Sequence, residues 1–198
     1  MINLTIDGRQ LQAEPGWTVL ETARQNGIHI PTLCHHEAVE PSGACRLCVV
    51  EIGDESWSKV VISCMYPVAE GLNVKTDSPR VKNVRRWILE MLLAQCPQSP
   101  ELKTLAAEYG VTSTRFVSHD PDELCILCGL CVRVCKEVVG VSAISTVGRG
   151  VHKMIGSPYG KAAEACVACG SCVTVCPTGA MAARLDRVRG QAAHRHAK

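Results

Sequence analysis

The fold is decided by Cys125-Ile-Leu-Cys-Gly-Leu-Cys-Val-Arg-Val-Cys135 and its repeat, Cys166-Val-Ala-Cys-Gly-Ser-Cys-Val-Thr-Val-Cys176. Both stretches read C-x₂-C-x₂-C-x₃-C, which is the spacing that holds [4Fe–4S] clusters. Three thiolates close together on one loop can cover a single face of a cubane, and the fourth thiolate then comes from the other run. The sequence therefore predicts two [4Fe–4S] clusters.

The crossed arrangement predicts two ligand sets. Cluster A is predicted to use Cys125, Cys128, Cys131 and Cys176. Cluster B is predicted to use Cys166, Cys169, Cys172 and Cys135. We expect Cys135 and Cys176 to begin helices that lead away from their own loops, and Gly129 and Gly170 to form the sharp turns. Structural zinc is the weaker explanation, because two C-x₂-C pairs already satisfy it and leave no role for eight cysteines.

Composition supports metal ligation in a reducing compartment. The 198 residues include thirteen cysteines but only one Phe, three Trp and three Tyr, which are few aromatic side chains for a conventional core. No secretory signal is evident, so we expect free or metal-bound thiols and a cytoplasmic location rather than disulfides. No stretch approaches 18 apolar residues, so no membrane span is expected. The net charge of +2 does not indicate a nucleic-acid partner.

The N-terminal part of the sequence predicts a β-grasp module. Asp7-Gly8 is a two-residue hairpin signal, and Thr18-Val-Leu-Glu21 is a capping box that opens a helix ending near Asn26, with Gly27 after it. The predicted strands are Ile2–Ile6, Arg9–Gln12, Val49–Ile52, Lys59–Ile62 and Gly71–Lys75. Together the hairpin, the helix, a cysteine loop and the later strands indicate a β-grasp sheet.

Four cysteines of this module are predicted to hold a [2Fe–2S] cluster. They are Cys34, Cys45, Cys48 and Cys64, spaced C-x₁₀-C-x₂-C-x₁₅-C. Two thiolates per iron suffice for a [2Fe–2S] rhomb, although structural zinc would also be satisfied by four cysteines. His35 and His36 could form a Rieske-like pair with two cysteines, but four cysteines are available. We therefore interpret both histidines as loop residues.

A helical linker is predicted next. Ser78-Pro79 and Ser99-Pro100 each supply an N-cap and a proline in the first turn, and the second helix should run to Tyr109 and end at Gly110. Val81, Val84, Ile88, Met91 and Leu92 form an apolar stripe expected to pack on the β-grasp sheet. Off this stripe, Arg85, Arg86 and Glu90 are expected to be solvated. After a polar bridge, Ala143–Ile155 predicts an added hairpin.

These signals divide the chain into four parts. They are a [2Fe–2S] domain over 1–77, a helical linker over 78–118, a 2[4Fe–4S] domain over 119–185 and a basic tail over 186–198. The tail, which includes Arg187–Lys198, is interpreted as a solvated terminus without metal ligands.

Several motifs together resemble a known family over nearly the whole chain. They are Cys34-His-His with Cys45-Arg-Leu-Cys48, Arg86-Trp-Ile-Leu-Glu-Met-Leu-Leu93, Ala143-Ile-Ser-Thr-Val-Gly-Arg-Gly150, and the two cysteine runs with Pro177-Thr-Gly179. The sequence is similar to the electron-transfer subunit of NAD-reducing hydrogenases and to the N-terminal part of the large iron–sulfur subunit of respiratory complex I. This resemblance implies an α+β fold with an N-terminal β-grasp [2Fe–2S] ferredoxin module, a helical linker and a C-terminal bacterial-type 2[4Fe–4S] ferredoxin module.

The chain departs from that family in the linker. The family usually carries a further [4Fe–4S] cluster there, held by one histidine and three cysteines, whereas Ala94–Lys103 contains only Cys96. The next histidine is His119, and no other cysteine precedes Cys125. We therefore expect this cluster to be absent. Cys96 is interpreted as a small buried thiol, with a stray ligand or a reactive site as alternatives.

The resemblance implies an iron–sulfur wire subunit without a catalytic residue of its own. Its expected partners are an NAD(P)H-binding flavoprotein with FMN or FAD and a further redox subunit, such as a hydrogenase, a formate dehydrogenase or a ferredoxin-linked enzyme. The resemblance also implies that related shortened subunits occur in flavin-based electron-bifurcating complexes and in other multi-subunit oxidoreductases. The sequence contains no G-x-G-x-x-G dinucleotide motif after a strand. A freestanding ferredoxin-type carrier is the alternative, although such carriers are usually smaller and strongly acidic.

Overall fold

The N-terminal module contains a five-stranded mixed sheet. In the computed structural model, which describes residues 1–157 and 163–184, the strands are β1 (Ile2–Ile6), β2 (Arg9–Ala13), β3 (Val49–Gly53), β4 (Ser58–Ile62) and β5 (Leu72–Lys75). Their order is β2-β1-β5-β3-β4, with β1 parallel to β5 and the other neighbours antiparallel. This sheet, with a helix packed on it, confirms the expected β-grasp architecture.

Local sequence signals explain the first hairpin and helix. Asp7 and Gly8 both have positive φ, at 49° and 78°, as a two-residue hairpin turn with the right twist requires. Helix α1 (Val19–Gln25) begins with the predicted capping box, in which Thr18 Oγ1 accepts from the Glu21 amide while Glu21 Oε2 accepts from the Thr18 amide. One face of α1 is buried against the sheet in a core that includes Ile6, Val50 and Val74.

The linker forms two helices, α2 (Pro79–Gln95) and α3 (Pro100–Glu108), capped by Ser78 and Ser99 as predicted. The buried stripe of α2 differs from the prediction at Met91, which is 49% exposed, whereas Leu89 is fully buried. The difference follows from helix geometry, because the buried face of α2 is centred near Arg85. Leu89, four positions on, lies about 40° around the helix from Arg85, whereas Met91, six positions on, lies about 120° away.

The expected solvation of Arg85 is wrong. Its side chain is buried, and it donates to the carbonyls of Leu47 and Val49 and to the Tyr109 hydroxyl. Arg85 lies four residues after Val81, so both side chains share the face of α2 that meets the sheet. Its neighbour Arg86 is exposed, as predicted.

The C-terminal module has short elements around its cysteines. Helix α4 (Leu130–Arg133) continues directly into a π-helical turn (Val134–Val138), and α5 (Ser171–Thr174) follows the second run; residues 180–184 are also helical. The expectation that Cys135 begins a helix is therefore wrong: Gly129, with φ 73°, ends the loop, so the helix starts at Leu130 and Cys135 lies within the following turn. Cys176 lies just after α5.

The predicted added hairpin is present but shorter. Strands β6 (Ser145–Val147) and β7 (Met154–Gly156) pair antiparallel, joined by a 3₁₀ turn at Gly150–His152. Within residues 1–157 and 163–184, none of the helices has the length and apolar character needed to cross a bilayer. The predicted basic tail lies outside the described residues.

Candidate metal centres

The four cysteines predicted to hold a [2Fe–2S] cluster lie together at one end of the β-grasp sheet. Cys34, Cys45 and Cys48 come from the loop between α1 and β3, and Cys64 follows β4. All four are at most 6% exposed. The loop is curled by Gly43 and Arg46, which both have φ 61°, and it directs the Cys45 amide to Cys34 Sγ at 3.3 Å.

These sulfurs are grouped as two pairs. The side chain of Cys45 hydrogen-bonds Cys34 and lowers the pKa of the Cys34 thiol, while the same bond raises the pKa of Cys45. Cys64 lowers the pKa of Cys48 in the same way, and its own pKa is raised. Among the described residues, no three Cys, His, Asp or Glu side chains converge closely enough to hold a single metal ion. Two pairs of sulfurs suit a rhomb in which each iron takes two thiolates.

Residues around Cys48 fix this loop. The Ser63 amide and hydroxyl both donate to the Cys48 carbonyl, at 3.0 and 2.8 Å. On either side of Cys48, Arg85 donates to the carbonyls of Leu47 and Val49, at 3.3 and 2.8 Å. Sequence reasoning missed Arg85 because a charged side chain was assumed to be solvated; its position four residues after Val81 is the signal that could have identified it.

His35 and His36 are loop residues in the structure. His35 Nδ1 lies 3.1 Å from Nη1 of Arg24, and its pKa is lowered, first by burial and then by that guanidinium. His36 Nδ1 accepts from the Ala38 amide at 3.1 Å. Each ring therefore engages a protein group near the cysteine loop.

The first cysteine run contains three of the four predicted ligands of cluster A. Burial, with a smaller contribution from the neighbouring thiol of Cys176, raises the pKa of Cys131 to about 12 and that of Cys128 to about 11. Leu127 and Gly129 have φ 54° and 73°, so the backbone turns twice within the run. Cys125 and Cys176 both pack against the buried cluster that contains Cys131, and the Cys176 thiol is close enough to contribute to the raised pKa of Cys128.

The second run repeats this geometry at the surface. Ala168 and Gly170 have φ 54° and 78°, almost the values of Leu127 and Gly129. Burial raises the pKa of Cys172, and the neighbouring thiols of Cys169, Cys135 and Cys166 raise it further. Cys166 and Cys169 are exposed. The structure therefore brings Cys135 to the second run; that these sets ligate clusters A and B as crossed sets stays a prediction.

Cys96 lies next to the cluster A site. Its side chain is fully buried, and burial raises its pKa to about 12, with further contributions from Cys125, Glu123, Cys128 and Cys176. The adjacent Gln95 donates from Nε2 to the Cys125 carbonyl at 3.1 Å. His119 is exposed, and its ring meets His152 edge-on, 6.4 Å between centroids. Nothing in the spacing of the sequence predicted the approach of Cys96 to the first run.

The two modules share one core through the linker helices. A continuous cluster of buried residues includes Cys34 and Cys45 of the N-terminal site, Leu89 of α2, and Cys128 of the first run. The Cys34 thiol is close enough to contribute to the raised pKa of Cys128. The [2Fe–2S] loop and the cluster A loop are therefore packed together.

Two family models match parts of the chain. Residues 1–79 match the model of a 2Fe-2S iron-sulfur cluster binding domain, and residues 124–180 match that of a 4Fe-4S dicluster domain. These matches imply one [2Fe–2S] cluster and two [4Fe–4S] clusters. The cysteines described above supply the thiolate donors that such clusters require.

Similar proteins are redox subunits. The chain is 35% identical over 173 residues to the NADH-ubiquinone oxidoreductase 75 kDa subunit of Reclinomonas americana, covering 76% of this chain and 25% of that protein. It is 36% identical over 174 residues to the NADPH-Fe(3+) oxidoreductase subunit alpha of Geobacter sulfurreducens, covering 76% and 20%. The chain thus spans only a fifth to a quarter of the length of these curated relatives. A chain of an NAD+-reducing [NiFe]-hydrogenase structure superposes with a TM-score of 0.79 at 32% identity, covering 90% of this chain and 86% of that one.

Proposed function

The chain belongs to the family of iron–sulfur electron-transfer subunits found in NAD+-reducing [NiFe]-hydrogenase and in the N-terminal part of the NADH-ubiquinone oxidoreductase 75 kDa subunit, and we propose that it links an NAD(P)H-oxidising flavoprotein subunit to a further redox subunit. When bound, the clusters supply one-electron transfer. The chain itself holds the thiolates, buries those of the [2Fe–2S] site and leaves Cys166 and Cys169 at its surface. A hydride carries two electrons, so a flavin on a partner must divide the pair before this chain can accept one.

The observation that carries this proposal is the arrangement of the three ligand sets. The [2Fe–2S] cysteines are buried, the first run packs against them in the same core, and Cys166 and Cys169 of the second run are exposed. A series that runs from the interior of one module to the surface of the other suits a relay between partners.

A groove lies at the [2Fe–2S] end of this series of ligand sets. Cys64 lines a groove of about 820 Å³ together with Glu21, Arg24, His36 and Glu137. The groove at Cys64 is lined mostly by the N-terminal module, with Glu137 from the C-terminal module, whereas Cys166 and Cys169 lie on the second run of the C-terminal module. This supports a subunit with two docking sites, one for each redox partner. Candidates for the second partner are a hydrogenase, a formate dehydrogenase or a ferredoxin-linked enzyme, and we place the complex in the reducing cytoplasm.

The proposal is tested by separating reduction from NADH oxidation. The chain alone, purified anaerobically, should be reduced by a chemical reductant but not by NADH, because an iron–sulfur cluster accepts one electron and a hydride carries two. Adding the NAD(P)H-binding flavoprotein subunit with which the native chain co-purifies should restore NADH-dependent bleaching of the clusters. Heat-denatured flavoprotein, with its flavin released, is the matched control and should restore nothing.

Native mass distinguishes the wire subunit from a free carrier. A stable complex should survive chromatography, because permanent subunit interfaces are large. Elution of the native protein as a 21.3 kDa monomer without flavoprotein would favour the freestanding ferredoxin-type carrier instead. Direct reduction of the isolated chain by NADH would contradict both functions.

A further inference from the structure

Arg133 joins the first cysteine run to the loop of the N-terminal site. It lies between Cys131, a predicted ligand of cluster A, and Cys135, a predicted ligand of cluster B. Its Nη2 donates to the carbonyl of Cys34 at 2.7 Å, and its Nη1 donates to the carbonyl of Glu40. One guanidinium therefore holds two backbone carbonyls of the 34–41 segment, using the planar fork of donors that only arginine offers.

A second side chain of the same helical segment completes the attachment. Glu137 lies four residues after Arg133, on the same side of the turn. Its Oε2 accepts from the Glu40 amide at 2.9 Å. The Glu40 residue is thus held from both its amide and its carbonyl, although it lies 93 residues from Arg133 in the sequence. We call Arg133 and Glu137, with the backbone groups that they hold, the clamp. The same part of the molecule contains a buried cluster that includes Cys34, Val39, Cys128 and Val134.

The clamp acts where two ligand sets meet. Cys34 belongs to the N-terminal site, and it packs in the same buried cluster as Cys128, a predicted ligand of cluster A. We propose that Arg133 is a positioning residue that sets the placement of the [2Fe–2S] site relative to the cluster A site and raises the reduction potential of the former through its charge. A fixed positive charge beside an iron–sulfur site stabilises the reduced, more negative form. This inference deepens the proposed function, since it assigns the residue that couples the first two members of the relay.

Three variants of the full chain separate position from charge. Arg133→Gln removes the charge and the fork, Arg133→Lys keeps the charge without the fork, and Lys136→Gln removes an exposed charge from the same helical segment. All three are purified anaerobically with clusters loaded. Iron content, the midpoint potential of the [2Fe–2S] cluster and its magnetic interaction with cluster A are measured by redox titration and electron paramagnetic resonance, with a chemical reductant and no partner.

For Arg133→Gln we expect the equilibrium constant for one-electron reduction of the [2Fe–2S] cluster to fall roughly tenfold, which equals about 59 mV. Its magnetic interaction with cluster A should also change. Arg133→Lys should restore the potential but not the interaction, because an ammonium group cannot donate to both carbonyls in the same fork. Lys136→Gln should alter neither quantity, since water and salt screen an exposed charge.

Hydrogen exchange gives a readout that does not depend on the clusters' spectra. Backbone amides of residues 34–40 should exchange faster in Arg133→Lys than in the unaltered chain, because the clamp has lost one of its donors. If Arg133→Gln retains too little iron to titrate, the magnetic interaction and the exchange rates of Arg133→Lys decide. Unchanged exchange and unchanged interaction in that variant, or an equal potential shift in Lys136→Gln, would overturn the proposal. Because no partner is present, a failure here is distinct from a failure of NADH-dependent reduction with the flavoprotein.

Discussion

Replacing Arg85 by alanine should strongly destabilise the N-terminal module. The Arg85 side chain is only 3% exposed, and from α2 it reaches both carbonyls flanking Cys48. Its third hydrogen bond goes to the Tyr109 hydroxyl, and the centroid of the Tyr109 ring lies 5.8 Å from the guanidinium carbon. Alanine removes all of these contacts and leaves the carbonyls of Leu47 and Val49 without this donor.

The size of the effect follows from the bonds that are lost. A hydrogen bond made by a charged group contributes about 1.5–3 kcal/mol, so two such bonds to carbonyls amount to about 3–6 kcal/mol. Bonds within one network are not additive, so we expect the free energy of unfolding to fall by about 3–5 kcal/mol. For a chain of this size, each kcal/mol shifts the melting temperature by about 2–4 °C, which predicts a decrease of about 10 °C.

The measurement compares Arg85→Ala with Arg86→Ala by anaerobic thermal unfolding, followed by circular dichroism and by loss of cluster absorbance. Arg86 is the matched control, because it is the adjacent residue, is exposed, and donates from Nε to the Tyr109 carbonyl at 3.0 Å. Its replacement should cost less than about 1 kcal/mol. In Arg85→Ala, the [2Fe–2S] signal should disappear before the [4Fe–4S] signals on heating. Equal melting temperatures for the two variants would refute the reasoning.

Three further predictions concern the clusters. The anaerobically purified chain should contain about 10 iron atoms, the sum of 2, 4 and 4 for these cluster types, whereas about 14 by chemical analysis would mean that a third cubane exists in the linker. Cys135→Ala should damage the cluster assigned to the second run, because Cys135 lies beside Cys172; spectroscopic loss of the first-run cluster alone would contradict crossed ligation. Cys96→Ser should leave all cluster signals intact, because the other cysteines complete every set. Loss of the cluster A signal in this variant would instead make the buried Cys96 a ligand.

Much of the local structure and all of the candidate ligands could be predicted from the sequence. The Asp7-Gly8 turn, the capping box at Thr18 and the caps at Ser78 and Ser99 all occur where the sequence places them. Each depends on residues within one turn of the chain, so its energy is decided locally. The two cysteine runs are equally local: the repeated spacing produces the same pair of positive φ angles in both loops.

Only the tertiary structure decided which polar and thiol side chains are buried in contact with distant parts of the chain. Arg85 and Arg86 are neighbours of the same type, yet Arg85 meets carbonyls 36 and 38 residues away while Arg86 stays exposed. Arg133 reaches the Cys34 carbonyl across 99 residues, and Cys96 is buried beside the first run although its spacing fits no cluster motif. Such contacts depend on how helix faces and loops pack after the chain has folded. Burying a polar side chain there is costly unless its hydrogen bonds are satisfied by other groups. For Arg85 and Arg133 these groups are backbone carbonyls far away in the sequence, and residue spacing alone does not identify them.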